Sequence, residues 1–355
     1  MGGTIRKLWI AFLNYEVILF IKTVKLIYFM LNKPIVSIYA TVYNNDDRVE
    51  ESLNSIIRQF PDFSKNFEFV IVDNFSTDGT WEVLQNFEKK YKNIHLIREH
   101  CSMGEGRAIA VDNIKTNYMF YVDLDTIYLS EFSKIIKYLI KNYKPASLMP
   151  FGFCDRKTIN KVGNWADLIH AEDTEFGARA LSKSVKIYDL PIFISKNQIV
   201  KGNRDKRYER NKFKLFKRWY TVSNNFIDGR GITSAKDLKR RYSGLRYLVM
   251  LAILYKRKFL RQKIRAYSNE LSNLDFITKN RVFLNPSDIG INKKFWIFSF
   301  PTKFIKTEYI NNSLSQLFSF GFNRVKLLNN GMLIVYTDKV SEDLFNYYLT
   351  FLGNY

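Results

Sequence analysis

Cysteine and histidine are scarce: the 355 residues hold two cysteines, Cys101 and Cys154, and three histidines, His95, His100 and His170. No CxxC pair occurs, which excludes a thiolate zinc site. A disulfide framework is not expected in a chain of this length, and the shortage fits a reducing compartment. Three scattered histidines exclude an imidazole-built metal cluster. Any metal must therefore be held by carboxylates, which favours Mg²⁺ or Mn²⁺ over zinc. No apolar run reaches the roughly 20 nearly uncharged residues that a membrane span needs. A secretory leader is not expected, and no internal repeat or low-complexity tract occurs in the sequence. Apolar residues are plentiful, at 46% with 30 Phe and 22 Tyr, so a large core is available. The length suggests about two domains.

The net charge of +21 is concentrated. From Lys196 to Arg265 stand 22 Lys and Arg against four acids (Asp205, Glu209, Asp228, Asp237), so this segment carries 18 of the 21 positive charges. It must face something anionic or remain solvated. Near its end the apolar stretch 247–255 is flanked by basic residues and is too short to span a bilayer. The apolar segment 8–31 is interrupted by Glu16, Lys22 and Lys25, and Lys7, Asn14, Lys22 and Lys25 share one helical face. It suits a helix lying in a bilayer interface or one packed on the protein's own core.

Between these segments the periodicity predicts alternating strands and helices. Strands are expected at 35–42, 67–73, 94–99 and 118–125, each β-branched or aromatic and bounded by turn residues. Helices are expected over 46–58, 81–91, from about Arg107, and over 130–142. This order implies a parallel sheet with helices on both faces, whose ligands bind outside the carboxyl ends of the strands. Two of those ends present acids: Asp73, and Asp123 with Asp125 in a DLD. If the DLD is extended, alternation puts its two carboxylates on one side. Paired hard oxygens suit Mg²⁺ or Mn²⁺ bridging a diphosphate; a helix N-cap or a solvated turn would use the same residues. Beyond, residues 294–355 read as a small β-α-β-β-α module.

Four blocks in order, VSIYATVYNNDDRVEESLNSI, FEFVIVDNFSTDGT, GEGRAIAVDN and NYMFYVDLDTIYLSEF, resemble the inverting family 2 glycosyltransferases of GT-A fold, over about residues 35 to 132. The resemblance implies a Rossmann-like, mostly parallel α/β sheet and a nucleoside-diphosphate-sugar donor. It places Thr41 and Tyr43 at the nucleoside, Asp73 at a pyrimidine N3–H, Arg107 at the diphosphate, Asp123 near ribose and metal, and Asp125 on the metal. Asn74 and Phe75 depart from the family's frequent Asp and Gly, which puts the geometry of the base pocket in doubt.

A further block, AEDTEFGARAL at 171–181, resembles the family's Glu-Asp motif near the acceptor. It implies Asp173 as general base, with Glu172 on the acceptor side; the alternative is an acidic helix N-terminus favoured by the dipole. The processive members' Gln-x-x-Arg-Trp is incomplete, since Leu215 stands where Gln would be, so a single addition is expected. Trp219 is an acceptor-stacking candidate or a core residue. Many relatives use glycan or polyprenyl-linked acceptors, and such an acceptor would join the basic segment to an anionic membrane surface. The expected placement is cytoplasmic, peripheral on the cytoplasmic membrane face. The expected divisions are 1–33 (interfacial helix), 34–195 (GT-A catalytic domain), 196–270 (basic helical segment) and 271–355 (α+β module). Two other classes remain open: a nucleic-acid-binding protein with a silent α/β scaffold, and a sugar nucleotidyltransferase, although the latter's Gly-rich loop after strand one is missing.

Overall fold

The structure, a computed structural model, describes residues 35–196 and 212–352. The expected interfacial helix within 1–33 lies outside the described residues. Strands β1 (Val36–Val42), β2 (Phe67–Asp73), β3 (Ile94–Arg98) and β4 (Tyr118–Tyr121) pair in parallel in the order β3-β2-β1-β4, and β5 (Cys154–Asp155) closes the edge antiparallel to β4. The register sets Val42 opposite Asp73, so both strands end at one rim.

Side chains alternate across the sheet. Ile38, Ala40, Phe69 and Ile71 pack on one face with Leu53 of α1 (Val49–Ile57), Leu84 of α2 (Thr80–Lys90) and Ile135 of α4 (Glu131–Lys141). Tyr39, Val70 and Val72 pack on the other with Ala110 of α3 (Met103–Asn113) and Phe176 of α5 (Glu172–Ser182). This is the expected two-faced α/β architecture, with helices on both faces of a mostly parallel sheet.

Two local expectations are corrected. Helix α3 begins at Met103 rather than near Arg107, because Ser102 and Glu105 form a reciprocal capping box that starts it earlier. Strand β4 stops at Tyr121 rather than Asp125. Val122 keeps one ladder bond, donating to Tyr39 O at 3.0 Å, and the chain then turns with Thr126 N–H donating to Asp123 O at 3.3 Å. The DLD is thus a turn beyond the strand.

The described part of the basic segment is helical, as expected: α6 (Lys212–Gly229), α7 (Ala235–Arg241) and α8 (Gly244–Phe259) enclose Phe226, Ile227, Leu238, Met250 and Leu254. Helix α9 (Asn273–Asn280) follows. The C-terminal elements are β6 (Ile297–Pro301), α10 (Thr307–Phe320), β7 (Arg324–Leu327), β8 (Met332–Tyr336) and α11 (Glu342–Leu352), with an antiparallel sheet ordered β6-β8-β7. Trp296, Phe300, Leu317 and Val335 belong to the same buried cluster as β1, β2 and α4. The module is therefore packed into the main core rather than hung from it. Among the described residues no helix is long and apolar enough to cross a membrane.

Candidate functional site

A cleft of about 710 Å³ opens where the end of β1, the turn after β4 and the start of α5 meet. Thr41, Tyr43, Arg107, Asp123, Asp125, Glu172 and Asp173 all line it. Seven of the nine residues singled out from the sequence thus converge, from positions as far apart as Thr41 and Asp173.

The DLD turn is held by its backbone. Tyr128 Oη accepts from Asp123 N–H at 3.0 Å, and Asn45 Nδ2 donates to Leu124 O at 2.7 Å. The turn so fixed places both carboxylates on the cleft wall. The Asp123 side chain is 56% exposed to it, and Asp125 Oδ1 accepts from Thr126 Oγ1 at 3.4 Å. Neither tyrosine nor asparagine was singled out from the sequence, because a residue acting on another's backbone leaves no motif.

Arg107 is the centre of the charge network. Its guanidinium donates to Glu172 at 2.8 Å and to Asp123 at 2.9 Å. It lies against the rings of Tyr121 at 4.4 Å and Trp165 at 4.9 Å. Buried and doubly paired, it ties the DLD turn to the first residue of α5. Burial pushes the Glu172 carboxyl up to about 7, against the pull of Arg107 and with the push of Asp173. Asp123, although its side chain opens to the cleft, is raised too by desolvation between the cleft walls, with Arg107 opposing the rise and Asp125 adding to it.

Asp173 is exposed at the N-terminus of α5, where Thr174 N–H donates to its carboxylate at 2.6 Å. The preceding residue, Ala171, takes a left-handed φ of 60°, a conformation costly for a residue with a Cβ and concentrated at functional sites. The glycines of the GEG block matter through space rather than flexibility. A Cβ on Gly104 would lie 1.9 Å from Ala166 O, and one on Gly106 2.1 Å from Thr41 Cγ2. Helix α3 can carry Arg107 to the cleft only because both positions lack side chains.

Two expected residues stand outside the cleft wall. Asp73 ends β2 at the correct rim but is fully buried. Its carboxylate accepts from Ser76 N–H and the Ser76 hydroxyl and pairs with Arg98 at 3.2 Å. Its oxygens are engaged with the turn that follows, and Asp73 holds that turn at the rim. Trp219, on α6, is 37% exposed and is not among the residues that line the cleft. At the departure from the family pattern, Phe75 has a φ of 51° and stacks on His100 at 3.9 Å. Its backbone keeps a conformation that glycine adopts freely. Conversely, Arg230 and His170 line the cleft without having been singled out. Arg230 was one of 22 cations in its segment, and nothing in the sequence set it apart except its flanking glycines.

Among the described residues no group of three or more His, Cys, Asp or Glu could hold a metal ion. Two carboxylates on a cleft wall nevertheless fit Mg²⁺ or Mn²⁺, which commonly take one or two protein carboxylates and complete their shell with substrate phosphates and water.

Residues 37–201 match the model described as glycosyl transferase family 2. The poly(ribitol-phosphate) beta-glucosyltransferase of Bacillus spizizenii is 33% identical over 99 residues, 27% of this chain and 16% of its own. An uncharacterized glycosyltransferase of Methanocaldococcus jannaschii is 24% identical over 55% of this chain and 81% of its own. The mannosyltransferase PcManGT from Pyrobaculum calidifontis, solved in complex with GDP-Man and Mn²⁺, aligns with a TM-score of 0.43 at 13% identity, over 63% of this chain and 70% of that one. The first two curated relatives are matched over only 36% and 16% of their lengths.

Proposed function

We propose, from the match of residues 37–201 to the glycosyl transferase family 2 model, that the protein transfers one sugar, with inversion, from a nucleoside-diphosphate sugar to an acceptor hydroxyl. UDP is the nucleotide we favour. The observation that carries this reading is the convergence of Asp123, Asp125, Glu172 and Asp173 with Arg107 on one cleft.

Thr41 and Tyr43, at the end of β1, bind the nucleoside side of the donor. Asp123 and Asp125 would hold Mn²⁺ or Mg²⁺, which when bound neutralises the diphosphate. Arg107 acts on the donor indirectly, by fixing Asp123 at 2.9 Å and Glu172 at 2.8 Å. Asp173 is the general base. It takes the acceptor hydroxyl's proton as that oxygen attacks the anomeric carbon and the carbon–oxygen bond to the diphosphate breaks. The products are the glycosylated acceptor and the nucleoside diphosphate, and no separate acid is needed for so stable a leaving group.

The acceptor is a glycan or a polyprenyl-linked sugar, met at the cytoplasmic face of the membrane. Helix α8 supports this placement. Leu245, Leu248, Tyr255 and Phe259 form an exposed apolar stripe, bordered by Arg246, Lys256 and Lys258. An anionic bilayer interface matches both the stripe and its cations. Nucleic acid fits less well, because Arg240, Arg241, Arg257 and Arg265 are paired with Asp237, Asp275 and Asp228 inside the molecule.

A panel of nucleotide-sugars with Mn²⁺ or Mg²⁺, followed by nucleoside-diphosphate release and calorimetric nucleotide binding, tests the proposal. Asp125→Ala should abolish metal-dependent binding. Asp173→Asn should keep binding and lose transfer by about 10²–10⁴-fold. Metal-independent binding, or unchanged turnover in Asp173→Asn, would overturn the assignment.

A further inference from the structure

Arg230 lies on the cleft wall with Ala171 and Asp173, and its backbone is fixed from both sides. Before it, a Cβ on Gly229 would lie 2.5 Å from Ala171 O, so α6 ends in direct contact with the start of α5. After it, Gly231 has a φ of +60° and a Cβ there would lie 2.6 Å from Asn273. Asn273 is fully buried. Its N–H donates to Arg230 O at 2.8 Å and its Nδ2 to Gly229 O at 3.0 Å.

The side chain is placed with equal care, and among the described residues it makes no hydrogen bond or ion pair. Its guanidinium lies over the rings of Phe226 at 4.7 Å and Phe304 at 5.6 Å. Its Nε is buried and makes no hydrogen bond. Among the described residues no carboxylate comes within 4.0 Å of it, whereas Arg107 has two and Arg179 has one. Burial lowers its basicity, and Asp173 is the cleft carboxylate whose charge acts against that. A partly desolvated cation with no counter-ion is a cost to the fold, which an arriving anion removes.

The geometry points to a subsite: we propose that Arg230 docks an oxyanion, phosphate or carboxylate, carried by the acceptor next to the hydroxyl that Asp173 deprotonates. The acids on the wall, Asp123, Asp125, Glu172, Asp173 and Asp189, outnumber Arg107 and Arg230. Arg107 is already paired with Glu172 and Asp123, so among the described residues lining the cleft Arg230 is the arginine left to meet an anionic group on the acceptor. A planar guanidinium held on aromatic faces presents its fork for a bidentate oxyanion contact. The assignment of the anion to the acceptor rests on the glycosyltransferase reading above.

The test titrates glycerol 1-phosphate, glycerate and glycerol into the full chain saturated with UDP and Mn²⁺. One of the two anions should bind at least about tenfold more tightly than glycerol, as loss of a charged hydrogen bond predicts, and the better one identifies the oxyanion. Arg230→Gln should remove the preference while UDP affinity stays within about twofold. Arg230→Met, which keeps the stem's contact with Phe226 and Phe304, should do the same if the glutamine variant folds poorly. Equal binding of all three probes would overturn the proposal. So would a loss that falls on UDP, which would give Arg230 to the donor. A wild-type protein that binds no UDP at all would sink the donor reading instead, and the same titration without nucleotide would still decide the oxyanion site.

Discussion

At the scale of single residues the cleft depends on what is missing as much as on what is present. Gly106 has no side chain where a Cβ would stand 2.1 Å from Thr41 Cγ2 and 2.9 Å from Cys101 Sγ. Gly106→Ala should therefore destabilise the fold by about 1–3 kcal/mol through overpacking and weaken nucleotide binding through Thr41. Urea denaturation and nucleotide titration check both, and unaltered affinity would show that Thr41 does not contact the donor. Glu172 carries the pH dependence. Its carboxyl, raised from 4.5 to about 7 by burial, binds a proton more tightly folded than unfolded. Its contribution is complete below about 4.5 and is lost as pH rises to about 7, by on the order of a few kcal/mol. Between pH 5 and 8 the donor-free wild type should lose stability, and Glu172→Gln should flatten that slope. An unchanged slope in the variant would assign the titration to another group, such as Asp123.

At the scale of elements, strands β1 and β2 were legible because both of their faces are covered, which favours the largely apolar, β-branched and aromatic runs at 36–42 and 67–73. The DLD was legible as chemistry but not as geometry. Composition continues the strand through Asp125, whereas Tyr128 and Asn45, acting from other elements, bend it into a turn. Asp73 was placed at the right rim, yet its burial against Ser76 and Arg98 depends on a tertiary fold around the turn that no motif encodes. Arg230 illustrates the same limit: the wall it joins is assembled by Asn273 and Ala171, distant in sequence. Helix α8 was read as one apolar stretch and divides into a buried side (Met250, Ile253, Leu254) and an exposed one. Leu245 and Leu248 are 77% and 58% exposed, so replacing both with Glu leaves the core intact. The wild type should float with anionic vesicles at low salt, and the double variant's floated fraction should fall by at least about half. Equal flotation would remove α8 from the membrane contact.

At the scale of the whole molecule, the question is whether the C-terminal elements form an independent module. The sequence suggested one, because β6 to α11 make a complete α+β pattern of their own. Packing argues for dependence: Trp296, fully buried, sits in one continuous cluster with Ile38, Phe69 and Ile135, and its indole N–H donates to Ile291 O at 3.3 Å. Trp296→Ala should cost about 3–5 kcal/mol, and the loss should be felt at the cleft although Trp296 is not among the residues that line it. Unfolding by urea, followed by far-UV circular dichroism and by nucleotide binding, should give coincident midpoints in the wild type. Both should move together in the variant. Two separate transitions, with nucleotide binding surviving the first, would make the module a domain in its own right. Coincidence would mean instead that the elements after α9 are part of what keeps β1, the DLD turn and α5 in register.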